Sequence, residues 1–217
     1  MVRKFKFLGL ALVAVFAMSA VGASAASATV EFRSEGAPVT LTGTQEGESN
    51  AFDVQFGEVK CKSAKYTGTT TTATATTVSV APAYAECTFA GVATTIDMNG
   101  CTYLLHVTNA GPPYTGVVDV VCPGGAQIVV TGGTKCIVDV GPQTNLGPVT
   151  YTNIGSGTTR EVTLDLAGLT NITYTQTPGT GVGKCTSLTT GAGKYTGTAT
   201  VTGETDPGTT HTGVFVS

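Results

Sequence analysis

Apolar and polar residues alternate with a period of two along much of this chain. In the segment 52–56, Phe and Val alternate with Asp and Gln, and in 162–166, Val and Leu alternate with Thr and Asp. Successive side chains of a β-strand point to opposite faces, so each segment predicts a strand with one buried face and one wet face.

The pair Asn99-Gly100 lies between two such segments and is the strongest short signal for a type I′ hairpin turn. A hairpin centred there makes four pairs with a mostly apolar face: Met98 with Cys101, Ile96 with Tyr103, Thr94 with Leu105 and Val92 with Val107. A second hairpin is predicted to turn at Gly132-Gly133, between 127–131 and 134–140. Its return strand places Cys136, Val138 and Val140 on one face.

Composition agrees with this pattern. Thr makes up about a fifth of the chain and Gly contributes 29 residues, while long runs of helix-forming residues are missing. Because β-branched residues favour the pleated, half-buried surface of a sheet, the predicted fold is all-β. We expect an antiparallel β-sandwich-like architecture built from hairpins and stapled by disulfides.

The N-terminal segment has the pattern of a cleavable export signal. Basic residues at 3, 4 and 6 precede an apolar core at 7–22, and Ala-Ser-Ala occurs at both 23–25 and 26–28. We therefore predict a signal peptide over 1–28 and a secreted, extracellular all-β domain over 29–217. That domain is either single or divided into two β subdomains that meet near 108–113.

Charge excludes one class of partner. Charged residues are 12% of the chain, the net charge is −3, and the basic residues outside the signal are scattered apart from a short group at Lys60, Lys62 and Lys65. A phosphate backbone needs a clustered basic face, so we do not expect nucleic-acid binding. After signal cleavage no membrane span is expected either, because no other long apolar segment follows.

Six cysteines follow the predicted signal, and none forms a C-x-x-C pair. They are Cys61, Cys87, Cys101, Cys122, Cys136 and Cys185. In an exported chain this predicts disulfides rather than a metal site or redox centre. The equal spacing of 14 residues suggests Cys87–Cys101, Cys122–Cys136 and Cys61–Cys185. In a simple meander these strands would lie too far apart, and six cysteines allow 15 connectivities, so other pairings stay open.

Several segments that contain these cysteines resemble a known group of proteins. The resemblance is carried by 59–61, 78–87, 97–103, 118–123 and 141–146, with Asp97-Met98-Asn99-Gly100-Cys101 among them. It points to exported, Thr- and Gly-rich six-cysteine β proteins of actinobacteria, a group with no assigned activity. The resemblance implies a bacterial source and export, and it carries over no functional residue.

No pattern of catalytic residues emerges from the sequence. His106 is predicted on a wet strand face and His211 in a polar C-terminal segment, and no G-x-S-x-G nucleophile motif follows the signal. Four acids stand singly within predicted strands: Asp97, Asp119, Asp139 and Asp165. We interpret them as solvating residues, and we expect no catalytic residue, no metal site and no cofactor.

Two functions fit these observations better than a hydrolase does. The first is a non-enzymatic extracellular or cell-envelope structural role, whose candidate partners are envelope components or further copies of the chain. The alternative is a ligand-binding β module, with carbohydrate as one candidate ligand. Sugars stack on aromatic faces, and the candidate aromatic residues are Tyr66, Tyr114 and Tyr195, each followed by Thr-Gly.

Overall fold

A computed structural model of the protein describes residues 29–132, 136–178, 185, 187–206 and 210–217. The predicted signal peptide over 1–28 lies outside these residues. Within them the chain forms sixteen β-strands and two short 3₁₀ helices, Pro123–Gly125 and Gly157–Thr159. The strands are β1 (Phe32–Ser34), β2 (Val39–Val54), β3 (Gly57–Thr70), β4 (Thr74–Ala75), β5 (Thr77–Phe89), β6 (Val92–Asp97), β7 (Thr102–Asn109), β8 (Tyr114–Val121), β9 (Ile128–Gly132), β10 (Cys136–Val140), β11 (Gln143–Ile154), β12 (Glu161–Asp165), β13 (Leu169–Pro178), β14 (Leu188–Asp206), β15 (Thr210–Thr212) and β16 (Val214–Val216).

The strands pair antiparallel and belong to two sheets, which confirms the predicted all-β fold. Across the described residues, thirteen strands form the main sheet, and β16, β1 and β4 form a small one in that order. The prediction of a sandwich-like antiparallel architecture with disulfides is also confirmed.

The main sheet closes on itself twice. Four long strands, β14, β2, β3 and β5, lie side by side and belong to both closures. In the first circuit, β7, β8, β11 and β12 lead from β5 back to β14. In the second, β6, β9, β10 and β13 connect the same two strands. Two groups of four shorter strands therefore close over one layer of four long strands.

The sheet forks at β5 and at β14. The first part of β5, residues 77–80, pairs with β7, and residues 87–89 pair with β6. Along β14, residues 198–201 pair with β12, whereas the pairs with β13 lie between 188 and 195. A long strand can bond to two different neighbours in this way because each neighbour occupies only one end of its edge.

The predicted alternation places the core inside the two circuits. The predicted strand over 162–166 buries Val162, Leu164 and Leu166, and β10 buries Cys136, Val138 and Val140. The segment 52–56 behaves differently at its end: β2 stops at Val54, and Phe56 lies in the turn with 40% of its surface exposed.

The small sheet packs against the first circuit. The Phe32 ring of β1 meets the Tyr151 ring of β11 edge to face, with centroids 5.4 Å apart. The Asn153 side chain donates to the carbonyl of Val216 and accepts from its N–H, each at 2.8 Å. These bonds tie β16 to the end of β11 in the main sheet.

Of the two predicted hairpins, the second is confirmed as a pairing of β9 with β10, but not as a turn at Gly132-Gly133: Gly132 ends β9, and Thr131 lies opposite Ile137, whereas that turn would place it opposite Thr134. Residues 133–135 lie outside the described residues. At Asn99-Gly100 the turn forms: both residues have positive φ, and the N–H of Cys101 bonds to the carbonyl of Met98 at 2.7 Å. The predicted pairing beyond it is wrong, because β6 pairs with β5 and β9 whereas β7 pairs with β5 and β8.

All six cysteines form disulfides, as predicted, but the suggested connectivity is wrong. The bonds are Cys61–Cys87, Cys101–Cys122 and Cys136–Cys185, with Cα atoms 4.0, 4.1 and 5.7 Å apart. The first joins residues directly opposite each other on β3 and β5. Since β6 and β7 diverge after Asn99-Gly100, Cys101 meets Cys122 at the end of the β7–β8 pair instead of Cys87.

Candidate functional site

An internal cavity of about 110 Å³ lies between the layers and extends through both circuits. Each of the twelve strands in the two circuits contributes to its wall, and the loop residue Leu166 completes it. The lining residues are Asn50, Phe52, Val59, Cys61, Tyr66, Val80, Tyr84, Ile96, Tyr103, Leu105, Val118, Val120, Ile128, Val130, Val140, Leu146, Leu164, Leu166, Leu169, Ile172, Tyr195, Ala199 and Val201. This wall is apolar apart from one amide and four tyrosine hydroxyls.

Those tyrosines, Tyr66, Tyr84, Tyr103 and Tyr195, form what we call the tyrosine cluster. Tyr84 lies on β5 between its pairings with β7 and β6, and Tyr195 lies on β14 where its partner changes from β13 to β12. Backbones diverge at both forks. The long aromatic side chains line the cavity, and their hydroxyls meet in two pairs.

Hydrogen bonds join the cluster into two close pairs. The hydroxyls of Tyr84 and Tyr103 are 2.9 Å apart, and those of Tyr66 and Tyr195 are 3.2 Å apart. The rings of Tyr66 and Tyr84 meet edge to face with centroids 6.4 Å apart, which brings the pairs together. The Tyr195 hydroxyl donates to Asn50 Oδ1 at 2.7 Å.

Asn50 anchors one end of the cluster and is only 2% exposed. It lies where the register between β2 and β3 shifts, and its Nδ2 donates to Oε1 of Gln45. A Cβ atom at Gly197 on β14 would lie 2.1 Å from Asn50 Oδ1. Glycine at this position is therefore what allows the amide to reach Tyr195.

Burial raises the pKa of every tyrosine in the cluster. Burial is the largest cause for each of the four, and the hydrogen bond to Tyr195 partly opposes the rise in the pKa of Tyr66. An ionised phenolate would lose its hydration inside the fold, so the neutral form is favoured there. The cluster therefore consists of neutral hydroxyls that both donate and accept hydrogen bonds.

Tyr84, Tyr103 and Tyr195 are only partly buried by accessible area, although burial raises the pKa of each. The two observations agree if the remaining accessible surface faces the cavity instead of bulk water. The cavity wall includes all three residues. A molecule inside the cavity would thus meet these side chains directly.

Two of the three tyrosines proposed from the Tyr-Thr-Gly pattern belong to the cluster. Tyr66 is 5% exposed and Tyr195 is partly buried, and both line the cavity. Tyr114 lies apart on β8, opposite Tyr151 of β11. Sequence reasoning missed Tyr84, Tyr103 and Asn50. For Tyr103 a signal existed, since it lies on the apolar face predicted next to Asn99-Gly100.

The predicted surface histidine His106 has a partner that the sequence did not indicate. Its Nε2 lies 2.9 Å from Asp119 Oδ2, and Asp119 Oδ1 accepts the backbone N–H of Asn145 at 2.7 Å. Asn145 has a positive φ, in a part of β11 where its register against β8 is shifted. Asp119 therefore fastens an irregular part of β11 to β7, which is a structural role.

The remaining candidate acids and histidine either accept hydrogen bonds within turns or stand apart from the other candidates. Asp97 and Asp165 accept backbone N–H groups two residues ahead, at 2.9 Å each. Burial raises the pKa of Asp139, and His211 is exposed on β15 opposite Glu204. In the part of the chain that the structure describes, no three His, Cys, Asp or Glu side chains are grouped to hold a metal ion.

Comparisons of the chain with family models, curated proteins and solved structures found no match. Among the described residues, no helix has the length and apolar character needed to cross a membrane.

Proposed function

We propose that this protein is an exported, non-enzymatic binding module that holds one small, mainly apolar molecule inside its fold. The observation that carries this proposal is the apolar cavity with a single polar cluster in its wall. Ligand sites in proteins typically combine an apolar lining with a few placed polar groups. The export signal predicted over 1–28 and the three disulfides support a function outside the cell.

Size restricts the ligand. An apolar cavity of about 150 Å³ is known to hold benzene, and the 110 Å³ here is of the same order. Stacking of a sugar on Tyr66 or Tyr195 finds no support, because both rings face inward and an oligosaccharide exceeds the cavity. A molecule with a single ring fits the volume better.

Binding can be tested by melting the purified protein with benzene, toluene, phenol and indole. A ligand that binds only the folded state raises the melting temperature, by the equivalent of about 2.7 kcal/mol at 100 times its Kd. Ala199→Leu fills part of the cavity from β14 and should abolish the rise. The matched control is Ala85→Leu on the outer face of β5, which should leave it unchanged. No shift with any of the four compounds would refute the proposal.

An extracellular structural role, expected from the sequence, is the second candidate. It is supported by three disulfides, of which Cys61–Cys87 joins the neighbouring strands β3 and β5, and by exposed threonines on the outer face, such as Thr44, Thr67 and Thr69. Fractionation of medium, cell wall and membrane, followed by sizing without reductant, tests it. A wall-retained or high-mass form supports this role, and a monomer free in the medium contradicts it.

A further inference from the structure

Two amide side chains set the direction of the hydrogen bonds at one end of the tyrosine cluster. Gln45 Nε2 donates to the carbonyl of Gly47 at 3.4 Å, so Gln45 Oε1 faces Asn50 and accepts from its Nδ2. Asn50 Oδ1 is then the atom that faces Tyr195. Because an amide oxygen can only accept, the Tyr195 hydroxyl donates to it at 2.7 Å. The single proton of Tyr195 is used in this bond.

Tyr66 is therefore the donor in its 3.2 Å bond with Tyr195. Its own proton is used there, and among the described residues the structure gives no donor to its oxygen. Tyr66 is only 5% exposed and lines the cavity. Its oxygen is thus an acceptor in the cavity wall that a ligand can use.

The other pair leaves one proton over, whichever of its two hydroxyls donates. Tyr84 and Tyr103 hold two protons between them, and their 2.9 Å bond uses one. Within the part of the chain that the structure describes, this bond is the one given to each hydroxyl. Both side chains line the cavity, and a donor buried without an acceptor is costly. An acceptor placed beside this pair would therefore gain a hydrogen bond.

The two openings lie next to each other and complement each other. The rings of Tyr66 and Tyr84 meet edge to face with centroids 6.4 Å apart, so the pair with the spare proton adjoins the pair with the open oxygen. A hydroxyl both accepts and donates, and can use both openings. A carbonyl or ether oxygen would use only the spare proton, and a hydrocarbon would use neither.

The rest of the wall limits what else the ligand can carry. Apart from Asn50 and the four tyrosines, the lining side chains are Phe, Val, Ile, Leu, Ala and a disulfide-bonded Cys. A charged group or a second unpaired polar group would be costly to bury against such a wall. The ligand's remaining surface is therefore apolar.

We propose that the ligand is a small alcohol or phenol, an apolar body with one hydroxyl. This hydroxyl accepts the spare proton of the Tyr84–Tyr103 pair and donates to the Tyr66 oxygen. The inference rests on the proposed binding function and narrows its chemistry from apolar molecules in general to those with one hydroxyl. Asn50 is a positioning residue in this site, because its bond to Tyr195 commits the Tyr66 proton and leaves the Tyr66 oxygen open.

The first test compares three compounds of similar size on the wild-type protein by calorimetry. Phenol carries a hydroxyl, anisole carries an acceptor oxygen without a proton, and toluene has no polar group. We expect anisole to bind about fivefold more tightly than toluene, and phenol about fivefold more tightly than anisole, since each step adds one net hydrogen bond. Any other order, or equal affinities for two neighbours in this order, would overturn the inference while leaving the binding function intact. No binding of any compound would refute the binding function itself.

Substitutions separate the two hydrogen bonds. Tyr66→Phe removes the acceptor, so phenol should fall to the affinity of anisole while anisole stays ahead of toluene. Tyr84→Phe and Tyr103→Phe each leave one hydroxyl, and hence one spare proton, in their pair. Anisole should therefore keep its advantage over toluene in both single variants and lose it in the double variant. Loss of the advantage in both single variants, or its survival in the double variant, would overturn the inference.

A control variant and a structure complete the test. Tyr151→Phe should leave all three affinities unchanged, because the Tyr151 hydroxyl bonds to the His106 carbonyl and does not line the cavity. A structure of the wild-type protein with phenol should place the ligand oxygen at hydrogen-bond distance from the hydroxyl of Tyr66 and from that of Tyr84 or Tyr103. A ligand oxygen out of reach of either pair would overturn the inference even if the variants fail to fold.

Discussion

Asn50 and Tyr195 are joined by a hydrogen bond of 2.7 Å, although 145 residues separate them in the sequence. The bond spans β2 and β14 at the point where the register between these two strands shifts. It connects the backbone irregularity of one long strand to the interior of both circuits. The contact therefore depends both on the pairing of β2 with β14 and on the arrangement of the tyrosine cluster.

We expect Gly197→Ala to destabilise the protein by about 1 to 3 kcal/mol, the usual range for overpacking. The added Cβ would lie 2.1 Å from Asn50 Oδ1, so the amide would have to move and its bond to Tyr195 would be lost. Urea unfolding measures the change. The matched control is Gly141→Ala, whose Cβ would meet only the end of the Gln127 side chain at 3.4 Å. Equal stability of the two variants would contradict the role given to Gly197.

Removal of single hydroxyls should show which hydrogen bond of the tyrosine cluster contributes most to stability. Tyr195→Phe leaves the buried Asn50 Oδ1 without its donor, which costs about 1 to 3 kcal/mol of unfolding free energy. Tyr103→Phe removes one hydroxyl of the Tyr84–Tyr103 pair and leaves no buried amide without its donor, so we expect a loss of about 1 kcal/mol or less. Urea titrations of both variants give the comparison. A larger loss for Tyr103→Phe than for Tyr195→Phe would contradict the anchoring role given to Asn50.

The strands and their inward faces could be predicted from local pattern, but their partners could not. Alternation correctly places Ile96 and Tyr103 toward the interior, and Asn99-Gly100 forms its turn. Pairing beyond that turn depends on whether a neighbouring hairpin or a distant strand offers the better-matched edge. The edge that β6 pairs with belongs to β9, and the edge that β7 pairs with belongs to β8. A local sequence pattern does not identify either partner.

The candidate site shows the same limit. Tyr66 and Tyr195 share a short Tyr-Thr-Gly pattern and could be singled out, whereas Asn50 and Tyr84 carry no local signal. Each is one inward side chain on its own strand. They meet only because β5 and β14 fork at the same level of the fold.

Peptide mapping without reductant should recover three cross-linked pairs: Cys61 with Cys87, Cys101 with Cys122 and Cys136 with Cys185. In the chain-entropy account these bonds contribute about 3 to 4 kcal/mol each, and Cys136–Cys185 contributes most because it joins the cysteines farthest apart in sequence, 49 residues. Replacement of each pair by Ala, with urea unfolding as the measurement, checks the order. Recovery of Cys87 linked to Cys101 would contradict the strand arrangement around Asn99-Gly100.

Alkaline pH should weaken the fold through the tyrosine cluster. A tyrosine in the unfolded chain ionises near pH about 10, whereas burial raises the pKa of Tyr66, Tyr84, Tyr103 and Tyr195 in the folded protein. The stabilisation is therefore fully present below pH about 10 and is lost as pH rises from there toward the folded-state pKa values. Each such tyrosine contributes a slope of up to about 1.4 kcal/mol per pH unit.

Urea midpoints measured across this range, together with phenolate absorbance, should show the cluster ionising as the protein unfolds. Tyr84→Phe removes one buried hydroxyl and should make the decline shallower, and return to neutral pH should restore the wild-type midpoint. If all seven tyrosines ionise near pH about 10 while the protein stays folded, the cluster is exposed to water and the cavity is not its environment.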